Sequence, residues 1–237
     1  MISRKSTPDE IRRRFDQDVE RFSNLETGQS ATVDAPLALE LIARAAAAVN
    51  PAAAAVLDIG CGAGNYTLKL MQHLAIRSAT LVDLSRPMLD RAVERIRAAG
   101  DVETTAIHGD IRETPLPAER FDVAVAAATL HHLRGDEEWE LVFGAVHRAL
   151  KPGGSFWVFD LVSHDPPAVQ QLMWERYGQY LAGLKGPSYR DHVFAYVEAE
   201  DSPRPLAWQL ALLARSGFQC VEVLHKNACF AAFGATK

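Results

Sequence analysis

The sequence predicts an α/β fold: an open, mostly parallel sheet with helices on both faces, closed by an antiparallel C-terminal hairpin. Three observations carry that prediction. Between residues 54 and 159, short apolar runs alternate with helical stretches. Those runs are apolar throughout, as strands buried on both faces are. The last two runs, 219–225 and 228–236, are separated only by a tight turn at Lys226-Asn227, so they pair antiparallel.

The elements follow in order. Thr7-Pro8-Asp9-Glu10 starts a helix, with Thr7 as cap, Pro8 at the first helical position and Glu10 completing a capping box. Ile11, Phe15, Val19 and Phe22 then recur at helical spacing as one apolar stripe. Residues 23–33 are polar and read as a loop, and a second helix covers 36–49. The alanine runs 45–48 and 52–55 flank Asn50-Pro51 as a helix end and a strand approach. Strands are expected over 54–59, 79–83, 102–108, 121–127 and 155–159. Helices are expected over 67–74, 85–99 and 136–150, the second capped by Ser85 and stopped at Gly100. Lys151-Pro152-Gly153-Gly154 reads as a turn. Residues 161–205 form an aromatic, partly helical insert, and a helix over 206–215 ends at Ser216-Gly217-Phe218. The expected layout is an N-terminal helical lid (1–35), a sheet core (36–160), the insert as a substrate lid (161–205), and a C-terminal helix and hairpin that complete the core (206–237).

Composition narrows the function. The chain has 237 residues, 48% apolar and 23% charged, and a net charge of −5 from 25 Lys+Arg against 30 Asp+Glu. That length buries roughly 70% of the unfolded surface, and the apolar share excludes a disordered chain. The mild acidity argues against nucleic acid as the main partner. Cys61, Cys220 and Cys229 make no disulfide framework and no CxxC pair, which points to a reducing compartment. No apolar run approaches the ~18 residues of a membrane span, and the charged N-terminus lacks a signal-peptide core. A cytoplasmic protein without membrane contact is expected.

The strongest chemical signal is Asp58-Ile59-Gly60-Cys61-Gly62-Ala63-Gly64, between a strand and a helix, where open sheets bind ligands. Its spacing is not the dinucleotide fingerprint. Counted from Gly60 the third glycine is replaced by Asn65, and counted from Gly62 by Thr67. No GK[ST] phosphate loop is present, and Asp58 would repel phosphate while favouring an amino group or cationic centre. Asp83 ends the next strand, 19 residues past Gly64, where a carboxylate accepts hydrogen bonds from a ribose diol. Asp110 ends the third strand on the same edge, placed for an adenine amino group with Ile111 against the ring. A tight strand–helix turn is the plainer reading of the glycines, and the two aspartates at matching strand ends weigh against it.

DIGCGAG, LVDLS, HGDI, the strand FDVAVAAATLHHL and the turn KPGG, in that order over residues 36–160, resemble the motifs of class I S-adenosylmethionine-dependent methyltransferases. The resemblance implies a Rossmann-like, seven-stranded sheet and S-adenosyl-L-methionine as cofactor. It implies that Asp58, Gly60, Cys61, Gly62 and Gly64 line the methionine part. Asp83, Leu84 and Met88 would then hold the ribose side, and Asp110 and Ile111 the adenine. The segment from Ala127 to Thr129 would pass beside the sulfonium. The N-terminal extension, the insert and the ending NACFAAFGATK are similar in layout to the carboxy-S-adenosylmethionine synthase branch, which acts in tRNA wobble-uridine modification and suggests a homodimer. In that branch an arginine five residues before the glycine of a late AGF triplet holds the extra carboxylate. Here the triplet is Ser216-Gly217-Phe218, the position is Leu212, and Arg215 stands two residues before Gly217. With the clamp missing, ordinary methyl transfer to a small-molecule acceptor is expected. A carboxy-S-adenosylmethionine synthase and a non-catalytic cofactor-binding protein stay as alternatives.

The remaining features carry less. His131 or His132, after the fourth strand, could serve as a general base. The ordinary reading, one ring packed and the other solvated, stands ahead of it, because many methyl acceptors need no base. His131, His132 and Asp136 match no common metal-ligand spacing, so no metal is expected. The aromatics between Trp174 and Tyr196 read equally as a substrate pocket and as packing against the sheet. Arg12-Arg13-Arg14 reads as a solvated helix face, and Cys61 as a small space-filler without a partner base.

Overall fold

A computed structural model describes residues 4–24 and 29–237. Of the loop expected over 23–33, residues 25–28 lie outside the described residues. The chain opens with α1 (Pro8–Asp16) and α2 (Val19–Ser23). The capping box forms: the Glu10 N–H donates to Thr7 Oγ1 at 3.3 Å and the Thr7 N–H to Glu10 Oε2 at 2.7 Å. The apolar stripe expected of one helix is split between two. Asp16 accepts a hydrogen bond from Ser85 Oγ at 2.7 Å, which fixes the end of α1 on the core. The chain bends there and still brings the Phe15 and Phe22 rings within 5.6 Å.

The remaining helices are α3 (Ala35–Val49), α4 (Asn65–Met71), α5 (Arg86–Ala99), α6 (Asp136–Ala149), α7 (Pro167–Lys185), α8 (Pro187–Glu200) and α9 (Leu206–Arg215). The strands are β1 (Ala55–Ile59), β2 (Ser78–Asp83), β3 (Glu103–His108), β4 (Phe121–Ala127), β5 (Leu150–Leu161), β6 (Gln219–Asn227) and β7 (Phe230–Thr236). A 3₁₀ turn, Leu130–His132, follows β4. The seven strands form one sheet in the order β3-β2-β1-β4-β5-β7-β6. The pairs from β3 to β5 are parallel, and β7 runs antiparallel to both β5 and β6. Strand order reverses between β1 and β4, and a crevice opens there at the carboxyl ends of the strands.

Alternate residues of the inner strands enter opposite cores. Val56, Leu81 and Trp157 pack under α3, α4 and α5, while Leu57, Val82 and Phe156 pack under α6 and α9. Two turns differ from expectation. Lys151–Gly154 is not a free turn but the bulged start of β5, because Leu150 pairs with Phe121 before the register shifts to Val123–Ser155. The hairpin turns at Ala228-Cys229 rather than Lys226-Asn227. Asn227 Nδ2 and His225 Nε2 both lie 2.8 Å from Asp34 Oδ2, which holds β6 extended two residues further. Ala228 then takes the left-handed conformation, with φ 47°.

Candidate functional site

A cavity of about 410 Å³ fills the crevice. Its floor comes from the loops after β1, β2, β3 and β4. The N-terminal segment closes the other side with Lys5, Pro8, Ile11, Phe15 and Phe22. No residue of 161–205, expected to be a substrate lid, is among the cavity-lining residues.

In the glycine turn, Gly60 has φ 63°, and a Cβ there would stand 2.1 Å from Thr129 Oγ1. Only glycine lets the β1 and β4 loops approach so closely. Among the described residues, and its chain neighbours apart, no atom lies within 4 Å of where a Gly62 Cβ would stand, so the cavity is open at that backbone. Gly64, expected beside the ligand, is not among the lining residues: a Cβ there would meet Ala92 at 3.1 Å, and its place is at the packing of α4 on α5. Asp58 is 2% exposed and accepts hydrogen bonds from Thr67 Oγ1 at 2.7 Å and the Thr67 N–H at 3.2 Å. Burial pushes its pKa up to about 6 despite those bonds. Cys61 lines the cavity as a buried thiol, and burial with the nearby Asp83 and Asp58 charges pushes its pKa well up. That disfavours the nucleophilic thiolate.

Asp83 binds the floor together. Its Oδ2 accepts from the Gly62 N–H and its Oδ1 from the Ser85 N–H, each at 2.8 Å, while burial raises its pKa. Leu84 and Met88 line the wall beside it, and Ser85 Oγ caps α5 by accepting from the Met88 N–H at 3.3 Å. Asp110 and Ile111 line the adjoining end. The Asp110 carboxylate is also engaged by Arg112, whose backbone N–H and Nε each donate to Oδ1 at 2.9 Å. Burial raises the Asp110 pKa, but the Arg112 bonds outweigh it and hold it low, so this group is an anion. Ala127, Ala128 and Thr129 line the middle of the cavity. Ala128 holds φ 51°, kept there by its N–H bond to Phe159 O at 2.8 Å.

The two histidines part company. His131 is buried, and it is not a cavity-lining residue. Its Nδ1 is hydrogen-bonded to Asp160 Oδ1, its backbone N–H donates to Asp160 Oδ2 at 3.2 Å, and its Nε2 stands 3.6 Å from Asp201 Oδ1. Burial alone would deprotonate it, but the Asp160 and Asp201 carboxylates prevail and push its pKa up to about 9. It is not free to act as a base. His132 does line the cavity, and burial and the neighbouring His131 lower its pKa. Asp136 is ion-paired with Arg204 at 2.6 Å and has no part in this cluster.

Sequence reasoning missed Asp160 and Asp201, which lie 29 and 70 residues from His131 and carry no local motif. It also missed the partner of Arg14, which is half-buried: its Nε lies 2.9 Å from both carboxylate oxygens of Glu200. The insert aromatics pack on one another. Trp174 stacks on Phe194 at 4.5 Å, and Tyr177 and Tyr180 donate to the carbonyls of Ala31 and Ser30, each at 2.9 Å. Leu212 is buried in the core and Arg215 lies over the Trp208 ring, so neither reaches the cavity.

Comparisons with known proteins agree with this geometry. Residues 56–154 match the family described as "Methyltransferase domain". The carboxy-S-adenosyl-L-methionine synthase of Trichodesmium erythraeum is 28% identical over 187 residues, which cover 77% of this chain and 72% of that protein. The demethylmenaquinone methyltransferase of Chlamydia trachomatis serovar L2 is 30% identical over 159 residues, 67% of each chain. Among solved structures, phosphoethanolamine N-methyltransferase 2 of Haemonchus contortus superposes with a TM-score of 0.67 at 17% identity, covering 98% of this chain and 60% of that one. The [4+2]-cyclase SpnF gives 0.66 at 15% identity over 100% and 98%. Likenesses this distant establish the fold alone, and a cyclase among them shows that the fold does not fix the reaction. The matched domain and the relative that shares two thirds of its length decide the matter: this chain belongs to the S-adenosylmethionine-dependent methyltransferases.

Proposed function

We propose that this protein transfers a methyl group from S-adenosylmethionine to a small organic acceptor. The observation that carries the reading is the convergence of Asp58, Asp83, Asp110 and Thr129 on one cavity whose opposite side sets the apolar Ile11, Phe15 and Phe22 beside Lys5. The donor set fits the cofactor: a buried carboxylate for an ammonium, a second for a diol, a third beside a flat apolar wall, and an open backbone at Gly62. When bound, S-adenosylmethionine supplies an electrophilic methyl carbon on sulfur. In this reading Asp58 faces the amino group, Asp83 and Met88 take the ribose side, and Asp110 and Ile111 take the adenine. Thr129 borders the sulfonium. The N-terminal segment excludes water and holds the acceptor in line, and such alignment is worth about 7–11 kcal/mol. Where the acceptor atom carries a proton, His132 is the base that the cavity wall offers.

The overall charge of −5 favours a small acceptor over nucleic acid. The three cysteines are all free, which fits a reducing, cytoplasmic setting. Among the described residues, no helix is long and apolar enough to cross a membrane.

Mass spectrometry of the ligand that copurifies tests the reading. S-adenosylmethionine or S-adenosylhomocysteine is expected, and Asp83→Ala should weaken cofactor binding in calorimetry by on the order of tenfold or more. Unchanged affinity in a folded variant would remove the ribose assignment. A second reading, carboxy-S-adenosylmethionine synthesis, draws on the Trichodesmium erythraeum relative. A ligand heavier by one carboxylate would establish it in place of methyl transfer.

A further inference from the structure

Behind the end of the cavity that His132 lines sits a polar cluster that hydrogen bonding inside the protein does not satisfy. His131 and His132 come from the 3₁₀ turn, and Asp201 directly follows α8. One donor atom of each of the three lies within 4.8 Å of the others. Asp201 Oδ1 is 3.6 Å from His131 Nε2 and 3.3 Å from His132 Nδ1. Asp201 is only 5% exposed, yet its Oδ1 and both ring nitrogens of His132 are buried with no well-aligned hydrogen bond among the described residues beyond the long approach of Nδ1 to Oδ1. Leaving such groups poorly paired destabilises the free protein, and a ligand that pairs them relieves that. The two segments are clamped: the Ser202 N–H donates to His131 O at 2.7 Å, and Arg134 reaches both Glu200 O and Ser202 Oγ.

We propose that His131, His132 and Asp201 form a binding site for a divalent cation of the zinc type. Three features fit it. A tetrahedral ion with ligands at about 2.0–2.1 Å sets its donors roughly 3.3 Å apart, close to the two distances above. Asp160 holds His131 Nδ1, which fixes the ring and leaves Nε2 turned to the cluster, where it ligates by releasing its proton to solvent, the carboxylate–histidine–metal relay that orients imidazole ligands. Three protein donors leave a fourth position open. His132 is the one of the three that borders the cavity, so the open position is reached from there. Lys5 and Arg134 stand close by and oppose a cation, so binding weaker than at a closed four-ligand site is expected. The proposal does not rest on methyl transfer; a loaded site would make His132 a ligand instead of a base.

The test uses the full chain without an affinity tag, dialysed against chelator and titrated with Zn²⁺ in calorimetry and with Co²⁺ by visible absorption. Saturable binding of a single Zn²⁺ per chain is expected, together with the absorption of four-coordinate Co²⁺. Asp201→Asn and His132→Ala should each weaken binding by on the order of tenfold or more, and Asp160→Asn by about tenfold. Asp136→Asn should leave it unchanged. His132→Ala truncates a side chain at the cavity wall, so it keeps the test open if a more buried variant fails to fold. No saturable binding, or binding that both folded ligand variants retain, would overturn the site. Either result leaves the identity of the copurifying nucleoside, and with it the methyl-transfer reading, untouched.

Discussion

Asp58 is a buried carboxylate beside the cavity whose charge state a cationic ligand would alter. Its folded pKa, about 6, lies above its ordinary value of 3.8. The stability linked to this group is therefore present below about pH 4 and is lost as pH rises through 6, by about 3 kcal/mol. An ammonium ligand favours the charged carboxylate. Cofactor affinity is expected to rise about tenfold from about pH 5 to about pH 7, following ionisation of Asp58. Calorimetry on Asp58→Asn checks it: the variant should bind weakly with a flat profile, and a profile as steep as the wild type's would assign the dependence elsewhere. Gly60 offers a second residue-scale test. Gly60→Ala forces a left-handed alanine and a collision with Thr129, expected to cost about 2–4 kcal/mol in urea unfolding. Adding Thr129→Ser removes the methyl at 2.4 Å but keeps the hydroxyl at 2.1 Å, so it should recover little. Thr129→Ala leaves only the Cβ, at 2.8 Å, and should recover more.

At the scale of elements, the N-terminal segment is held by α8 as well as by the sheet core. The Ser6 N–H donates to Ala199 O at 2.9 Å, Lys5 Nζ reaches the carbonyls of Glu198 and Asp201, and Arg14 meets Glu200. All three attach the cavity's outer wall to the C-terminal end of α8. The insert thus bears on the site through the segment it grips, although it contributes no lining residue. Glu200→Gln should weaken that grip by about 1–3 kcal/mol. The expected signature is faster amide exchange over the described part of residues 4–24, unchanged exchange in β1 and β4, and a raised KM for the cofactor. Uniform acceleration through the sheet would instead mean that the pair stabilises the whole fold.

For the whole molecule, a ligand that binds only the folded chain stabilises it by about 2.7 kcal/mol at a concentration of 100 Kd. In a chain of 237 residues this raises Tm by roughly 5–10 °C. S-adenosylmethionine should produce that shift and NAD(P) none, since the glycine spacing offers no dinucleotide site; a shift with NAD(P) alone would redirect the reading to redox chemistry. Periodicity and capping made the succession of strands and helices in the core, the α1 capping box and the Ser85 cap legible, because each depends on residues within a turn or two of one another. DIGCGAG, Asp83 and Asp110 were legible for the same reason: each sits at a strand end whose position the strand itself dictates. The place of Gly64 against Ala92, the split of the N-terminal stripe, and the union of His131, His132, Asp160 and Asp201 were not. Those contacts join segments tens of residues apart, and no local pattern encodes them. By itself, then, the sequence determined a parallel sheet whose strand ends carry three aspartates and a glycine turn. The tertiary structure alone decided which of these face a common cavity, what roofs it, and which buried charges meet behind it, because burial and mutual distance, the quantities that set those interactions, exist only once the chain has folded.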